Sequence, residues 1–188
     1  MKITVESTAI PDVLLVKPEV FRDPRGFFTE VFRDDVFAAV GLPTRFVQLN
    51  HSRSARDVVR GLHFQWDPPM GKLMRVTQGA AYLVAVDIRK GSPTLGQWVA
   101  ATVSADDMTQ VWAPAGFARG FCVLSDSAEI QYLCTGTYNS QGEGGIRWDD
   151  PELGIPWPTT TPILSPKDTK APSLREWLAS PPSNHFQI

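Results

Sequence analysis

Val59-Arg60-Gly61-Leu62-His63-Phe64-Gln65 is a run of alternating character that is typical of a β-strand. The side chains of a strand point alternately to its two faces. Alternation places residues 59, 61, 63 and 65 on one face and residues 60, 62 and 64 on the other. We therefore expect His63 to share a face with Gly61 and Gln65, and in a β-barrel that face lines the interior.

Ten short strands are predicted in all, from segments rich in Val, Ile, Phe and Tyr. They are Val13–Val16, Gly26–Phe32, Phe46–Ser52, Val58–Phe64, Lys72–Thr77, Ala80–Ile88, Trp98–Val103, Thr109–Ala113, Gly120–Leu124 and Glu129–Thr135. Helix is scarce, with short helices predicted over Asp34–Val40 and Ser173–Leu178. The glycine-rich run Gln141–Gly145 is expected to be a surface hairpin loop. This pattern predicts an all-β sandwich or barrel.

Length and composition indicate an ordinary globular protein. We expect the 188 residues to form a single domain (1–188), with an extended, proline-rich C-terminal segment from about residue 149 and a loose tail over residues 181–188. Eighteen basic residues oppose twenty acidic ones, which disfavours nucleic acid as a partner. With no leader-like N-terminus and no long apolar run, we expect no membrane association and a cytoplasmic location. Cys122 and Cys134 are interpreted as reduced core thiols.

The histidine at position 63 admits two readings. It is either a core histidine that donates to a backbone carbonyl, or a base in a polar cavity. Arg60, Lys72 and Arg75 lie in the same stretch of sequence, and charged residues are rarely buried without partners. A polar cavity is therefore a real competitor to the core reading.

Other chemistries find little support in the sequence. A histidine-rich metal site needs two or three clustered imidazoles with a carboxylate, whereas the strand reads His63-Phe64-Gln65; we expect no metal and no other cofactor. Nucleophile-elbow, dinucleotide and P-loop motifs are missing. What remains is a histidine, a tyrosine, lysines and carboxylates, a set that suits proton removal beside a carbonyl group.

Eight runs in order resemble the dTDP-4-dehydrorhamnose 3,5-epimerase family. The eight runs are Val20-Phe21-Arg22-Asp23-Pro24-Arg25-Gly26-Phe27-Phe28, Val47-Gln48-Leu49-Asn50-His51-Ser52, Val59-Arg60-Gly61-Leu62-His63-Phe64-Gln65, Gly71-Lys72-Leu73, Val86-Asp87-Ile88-Arg89-Lys90-Gly91-Ser92-Pro93-Thr94, Pro114-Ala115-Gly116-Phe117-Ala118-Arg119-Gly120-Phe121, Ile146-Arg147-Trp148-Asp149-Asp150-Pro151 and Leu164-Ser165-Pro166-Lys167-Asp168. The resemblance implies a cupin-type jelly roll, a homodimer, and epimerisation at C3, C5 or both of a nucleotide-linked, dTDP-type 4-keto-6-deoxyhexose.

The resemblance also implies the site residues. His63 is the general base, Asp168 its partner, Tyr132 the proton-exchanging group on the opposite sugar face, and Lys72 the cation that stabilises the enolate. The expected substrate-binding residues are Arg25 and Arg60 on the pyrophosphate, Tyr138 on the base, and Phe21, Phe28, Glu30, Gln48, Asn50, Arg119 and Lys167 around them. Some of these residues would come from the partner subunit.

Two departures from the family pattern stand out. Arg119 replaces the histidine that is usual in its run, and Leu83 replaces a usual aspartate. The gained cation and the lost anion should make the pocket more positive, which predicts a lowered pKa for both Tyr132 and Lys72. Three alternatives stay open: a sugar-nucleotide sensor without turnover, a single-centre epimerase on another nucleotide sugar, and a metal-dependent cupin.

Overall fold

A computed structural model describes residues 2–188 and consists mainly of antiparallel β-strands. The strands are β1 (Ile3–Ser7), β2 (Leu14–Pro18), β3 (Val20–Asp23), β4 (Gly26–Thr29), β5 (Gln48–Ala55), β6 (Val59–Gln65), β7 (Lys72–Gln78), β8 (Ala80–Asp87), β9 (Trp98–Ser104), β10 (Gln110–Ala113), β11 (Phe117–Val123), β12 (Ser127–Cys134) and β13 (Glu143–Gly145). A six-stranded sheet has the order β1-β2-β10-β7-β12-β5, and a five-stranded sheet the order β13-β6-β11-β8-β9. Strands β3 and β4 form a separate hairpin. This architecture confirms the predicted all-β jelly roll.

The ten predicted strands are all present, with ends that shift by a few residues. Three strands were not predicted: β1, β3 and β13. The expectation of a loop over Gln141–Gly145 is wrong in part, because Glu143–Gly145 pairs with Gln65–His63 of β6. Glycine suits positions 144 and 145 because a side chain would be crowded at each. An added Cβ would lie 2.9 Å from Phe64 Cζ at position 144 and 3.1 Å from the Leu62 carbonyl oxygen at position 145.

Helical segments are few and short: α1 (Asp34–Ala39), α2 (Pro166–Thr169), α3 (Leu174–Ala179) and a 3₁₀ helix over Pro181–Phe186. Helix α3 begins with a capping box, in which the Ser173 side chain and Glu176 satisfy each other's backbone N–H groups. The expected loose tail is wrong. Phe186 is buried with its ring 6.4 Å from that of Trp177, and the Ile188 N–H donates to the Lys90 carbonyl at 3.0 Å.

Two hydrophobic layers hold the five-stranded sheet in place. Its inner face packs against the six-stranded sheet through residues such as Leu83, Phe117 and Phe121. Its outer face is covered by the C-terminal segment, which contributes Trp177 and Phe186. Burial of such large apolar side chains contributes about 1.5–3 kcal/mol each. The C-terminal segment is therefore an integral layer of the fold.

A β-bulge interrupts β6 at Gly61. His63 pairs with Arg119 of β11, but Arg60 pairs with Phe121, so the register shifts between them. Gly61 has φ of 125°, and a Cβ there would lie 2.6 Å from the Cα of Gly120. The bulge reverses the alternation, as extra residues in a strand do. Strict alternation put residues 60 and 63 on opposite faces, and that expectation is wrong for Arg60.

Candidate active site

A cavity of about 70 Å³ lies between the two sheets, and both sheets line it. His63, Arg60 and Arg119 come from the five-stranded sheet, and Lys72 and Tyr132 from the six-stranded sheet. Its other lining residues are Ser52, Met74, Gly120 and Phe121. The structure thus brings His63, Lys72 and Tyr132 into one compartment, which we call the central cavity.

His63 is backed by a buried carboxylate. Its Nε2–H donates to Asp168 Oδ1 at 2.5 Å, and the Ser165 hydroxyl donates to Asp168 Oδ2 at 2.9 Å. Asp168 is 3% exposed. Burial raises the pKa of Asp168, but hydrogen bonds from His63, Ser165 and the Gly61 backbone outweigh it and leave that pKa below its ordinary value. The reading of His63 as a core histidine satisfied by a carbonyl is therefore wrong.

Within residues 2–188, the other ring nitrogen, Nδ1, has no hydrogen-bond partner. A histidine whose Nε2–H is held by a carboxylate carries its lone pair on Nδ1. Because His63 lines the central cavity, this arrangement can hold a base ready for a proton from a bound molecule. It can also stabilise the imidazolium that forms after the transfer.

Lys72 and Tyr132 lie together across the cavity, with Lys72 Nζ 5.2 Å from the centroid of the Tyr132 ring. Burial, with repulsion from Arg119, lowers the pKa of Lys72 to about 8, which confirms the predicted direction. Burial raises the pKa of Tyr132 above its ordinary value, although Asn50 and Arg60 oppose this. The predicted fall in the Tyr132 pKa is wrong, because the loss of water around the phenol outweighs the nearby cations.

Arg119 also lines the central cavity. It is 5% exposed, and its two terminal nitrogens donate to the carbonyls of Ala113, Pro114 and Met70 at 3.0, 3.2 and 2.8 Å. Its Nε–H is buried and has no partner among the described residues. Burial lowers its pKa to about 10. Leu83 packs into the core between the sheets, so no acid occupies that position.

A polar cluster borders the cavity on the β13 side. Tyr138, which is 59% exposed, donates its hydroxyl hydrogen to Glu143 Oε1 at 2.8 Å, and Lys167 Nζ donates to the same oxygen at 2.6 Å. The Tyr138 N–H donates to Gln48 Oε1 at 2.8 Å, and Gln48 Nε2 donates to Asn50 Oδ1 at 2.9 Å. Four of the predicted binding residues therefore form one connected network.

Two residues of the site were not predicted. Glu143 accepts hydrogen bonds from Tyr138 and Lys167. Its carboxylate also interacts electrostatically with His63 and Lys72. Nothing in the sequence singles out Glu143, because the glycine-rich run that contains it is typical of a surface loop. Ser52 lines the cavity with a buried hydroxyl that has no partner among the described residues. Alternation along β5 places Ser52 on the same face as Asn50, and this pattern was the sequence signal for Ser52.

Phe21, Arg25, Phe28 and Glu30 lie away from the central cavity. The first three belong to the β3–β4 hairpin and line a separate open groove, while Glu30 follows the hairpin and forms an ion pair with Arg33 at 3.3 Å. Arg25 pairs with Asp23 at 2.5 Å. A single copy of the chain does not bring these four predicted binding residues to the others.

The part of the chain that the structure describes, residues 2–188, offers neither a metal cluster nor a membrane-spanning helix. No three His, Cys, Asp or Glu side chains in this part of the chain are grouped so that they could hold a metal ion. No helix over the same residues has the length and apolar character needed to cross a membrane.

Fold and site together define a class: a cupin-type jelly roll whose central cavity carries a histidine–aspartate dyad, a tyrosine and a lysine. Comparison with known proteins agrees with that class. The family model described as dTDP-4-dehydrorhamnose 3,5-epimerase matches residues 7–176. The chain belongs to this family.

Individual relatives support the assignment. The chain is 54% identical over 162 residues to a dTDP-4-dehydrorhamnose 3,5-epimerase of Neisseria gonorrhoeae. The match covers 86% of this chain and 49% of that protein, so this chain spans about half of that relative's length. It is 52% identical over 166 residues to the enzyme of the same name from Shigella flexneri, covering 87% and 92% of the two chains. A crystal structure of the Legionella pneumophila 3,5-epimerase with dTDP-4-keto-L-rhamnose is similar, with TM-score 0.90, 43% identity and coverage of 92% and 93%.

Proposed function

We propose that this protein epimerises a dTDP-linked 4-keto-6-deoxyhexose at C3 and C5. The observation that carries the proposal is the His63–Asp168 dyad in the same cavity as Tyr132 and Lys72. The named activity of the relatives and the sugar nucleotide bound in the Legionella structure support the choice of substrate. The intact acid–base set disfavours a sensor without turnover.

The C4 ketone makes both neighbouring carbons acidic, so one set of side chains can act on each. His63 takes the proton from the carbon, the C–H electron pair forms the C=C bond of an enolate, and the carbonyl π pair moves to the C4 oxygen. Lys72 stabilises that oxygen. Tyr132 returns a proton from the opposite face, which inverts the configuration. The raised pKa of Tyr132 keeps the phenol protonated and suits a proton donor.

Nucleotide binding is proposed for the polar border of the cavity. Arg60, whose Nε donates to Ser54 Oγ at 3.0 Å, presents its remaining guanidinium N–H groups to a pyrophosphate, a geometry that phosphate oxygens favour. Lys167 adds a second cation and Tyr138 an exposed ring for the base. Gln48 and Asn50 supply amide groups to polar atoms of the bound molecule, and Glu143 accepts hydrogen bonds from it.

We propose a homodimer in which the β3–β4 hairpin of one subunit completes the site of the other. Phe21, Phe27 and Phe28 are each more than half exposed, Phe28 at 66%, and three exposed rings on one hairpin are typical of an interaction surface. The hairpin carries the predicted binding residues that a single copy leaves away from the cavity.

Mixing two inactive variants tests the shared site. His63→Ala keeps a normal hairpin, and the double variant Arg25→Ala with Phe28→Ala keeps a normal cavity. After equal mixing and exchange of subunits, half of the dimers contain one intact site, so about a quarter of the wild-type activity returns. Activity that stays absent in the mixture, although light scattering shows exchanged dimers, contradicts the shared site.

The two cysteines bear on location. Cys122 and Cys134 are both free and buried, which suits a reducing compartment, and we propose the cytoplasm. Cell fractionation with a compartment marker checks this, and recovery in an oxidising compartment contradicts it.

Proton exchange in D₂O tests the proposed function. Nuclear magnetic resonance follows loss of the C3 and C5 protons of the dTDP-4-keto-6-deoxyhexose separately. We expect wild type to exchange both and His63→Ala to exchange neither. His51→Ala is the matched control, because His51 is half-exposed and pairs with Glu129 away from the cavity lining. Exchange by His63→Ala at the wild-type rate contradicts the base assignment.

A further inference from the structure

Besides the exposed Arg60, the central cavity is lined by two less accessible cations, the buried Arg119 and the partly buried Lys72, that form no ion pair with any described residue. Neither Lys72 nor Arg119 takes part in any ion pair within residues 2–188. A buried charge is costly unless it is paired. Two such charges in one small cavity indicate that a negative charge enters it.

The two cations differ in how they are held. The Arg119 guanidinium is fixed by three backbone carbonyls from two segments, Met70 and Ala113–Pro114. These carbonyls are dipoles and leave its net charge in place, and its Nε–H is still without an acceptor. Lys72 has a single flexible ammonium group over the Tyr132 ring, at 5.2 Å.

From this geometry we propose that Arg119 is the permanent cation of the enolate site, while Lys72 is the member that gives a proton to the C4 oxygen and takes it back. The inference rests on the proposed function and assigns two separate roles within it. As the C–H pair forms the C=C bond, the π pair on the C4 oxygen accepts the Lys72 proton. Lys72 becomes a neutral amine, and Arg119 keeps the site positive until the proton returns.

The surroundings of Lys72 agree with that division. The titratable or charged groups that face it are Arg119 on β11, Tyr132 and Cys134 on β12, Glu143 on β13, Lys167 on α2, and His63 and Arg60 on β6. Burial and Arg119 together place the Lys72 pKa at about 8, so the amine and the ammonium are both accessible near neutral pH. A guanidinium keeps its charge throughout that range.

The pH dependence of deuterium exchange tests the inference. In the wild type we expect the rate to fall above about pH 8, where Lys72 loses its proton. Arg119→Gln keeps amide donors for the backbone carbonyls but removes the charge. We expect this variant to move the alkaline limb upward by about one pH unit, because repulsion on Lys72 is lost, and to slow exchange about 100-fold.

A packing control separates charge from shape. Met74→Leu alters the packing of the same cavity at nearly constant volume and without a change of charge, so the burial of Lys72 is kept and we expect an unmoved alkaline limb. Arg119→Met carries the same expectation as Arg119→Gln if the glutamine variant fails to fold. An alkaline limb that stays at the wild-type pH in the folded neutral variant overturns the inference.

A direct titration keeps this test independent of the proposed function. Lysines are reductively methylated with ¹³C-formaldehyde, and the Lys72 resonance is assigned by its loss in Lys72→Met. Its midpoint should rise in Arg119→Gln, and an equal midpoint in both proteins overturns the inference. If wild type exchanges no proton in the sugar nucleotide, the proposed function fails, whereas this titration still decides whether Arg119 sets the charge of Lys72.

Discussion

Replacing Asp168 with asparagine removes the charge of the dyad and keeps its shape. The side chain is buried and accepts hydrogen bonds from His63 at 2.5 Å and from Ser165 at 2.9 Å. The amide oxygen of Asp168→Asn can accept one of these bonds. It cannot neutralise the imidazolium that forms when His63 has taken a proton.

The expected loss follows from these contacts. A hydrogen bond to a charged group is worth about 1.5–3 kcal/mol, which corresponds to a rate loss of about 10- to 150-fold. If the amide instead donates to Nε2, the ring is forced into the tautomer with its proton on Nδ1. Loss of the correct tautomer in a comparable histidine–aspartate pair costs about 10⁴-fold. We therefore expect exchange to slow by a factor between about 10 and 10⁴.

The assay is the exchange of C3 and C5 protons in D₂O, with thermal unfolding measured on the same samples. Asp150→Asn is the control, because Asp150 is also buried and accepts the N–H groups of Leu174 and Glu152 at 2.6 and 2.8 Å. That variant should lose stability and keep its exchange rate. A folded Asp168→Asn protein that exchanges within about threefold of wild type would falsify the role assigned to the carboxylate.

Three further predictions concern the cavity and the strand beside it. Burial lowers the pKa of Lys72 from 10.5 to about 8, so the charged side chain destabilises the folded state at pH 7. Lys72→Met should therefore raise the free energy of unfolding at pH 7 by up to about 3 kcal/mol. Chemical denaturation should show this gain shrinking between pH 8 and 10.5, where the unfolded wild-type chain binds more protons and wild-type stability rises with pH. Gly61→Ala should destabilise the protein by about 3 kcal/mol or more, because its Cβ meets Gly120 Cα at 2.6 Å, and an unchanged melting temperature contradicts that reading. Tyr132→Phe should abolish inversion but retain deuterium exchange at the carbon that His63 reaches, which separate product and exchange measurements resolve; full inversion by this variant excludes Tyr132 as the proton donor.

Hydrophobic patterning predicted ten of the thirteen strands that residues 2–188 form. Runs of Val, Ile and Phe bounded by Pro and Gly turns identified ten strands, because a sheet with one face on the core requires that pattern. It did not identify β1, β3 or β13, three short strands in which no residue is fully buried. These strands exist because a neighbouring strand supplies hydrogen bonds, and such partners are not visible in a local window.

The site was predictable in its residues and less so in its geometry. Motif order located His63, Tyr132 and Asp168, but alternation put Arg60 on the wrong face, because a bulge depends on how closely Gly61 and Gly120 approach. The direction of the Tyr132 pKa also failed, since it depends on how much water the cavity excludes. Burial of this kind is a property of the assembled sheets and has no signature in the sequence around one residue.

The pairing of His63 with Asp168 joins positions 105 residues apart. Strands β5 to β12, which supply most of the cavity wall, are synthesised before the carboxylate leaves the ribosome. A nascent chain can therefore build the walls of its pocket while the base still has no partner. Under the proposed mechanism the base is complete only when the C-terminal layer has docked, so deuterium exchange would also report that this layer is in place.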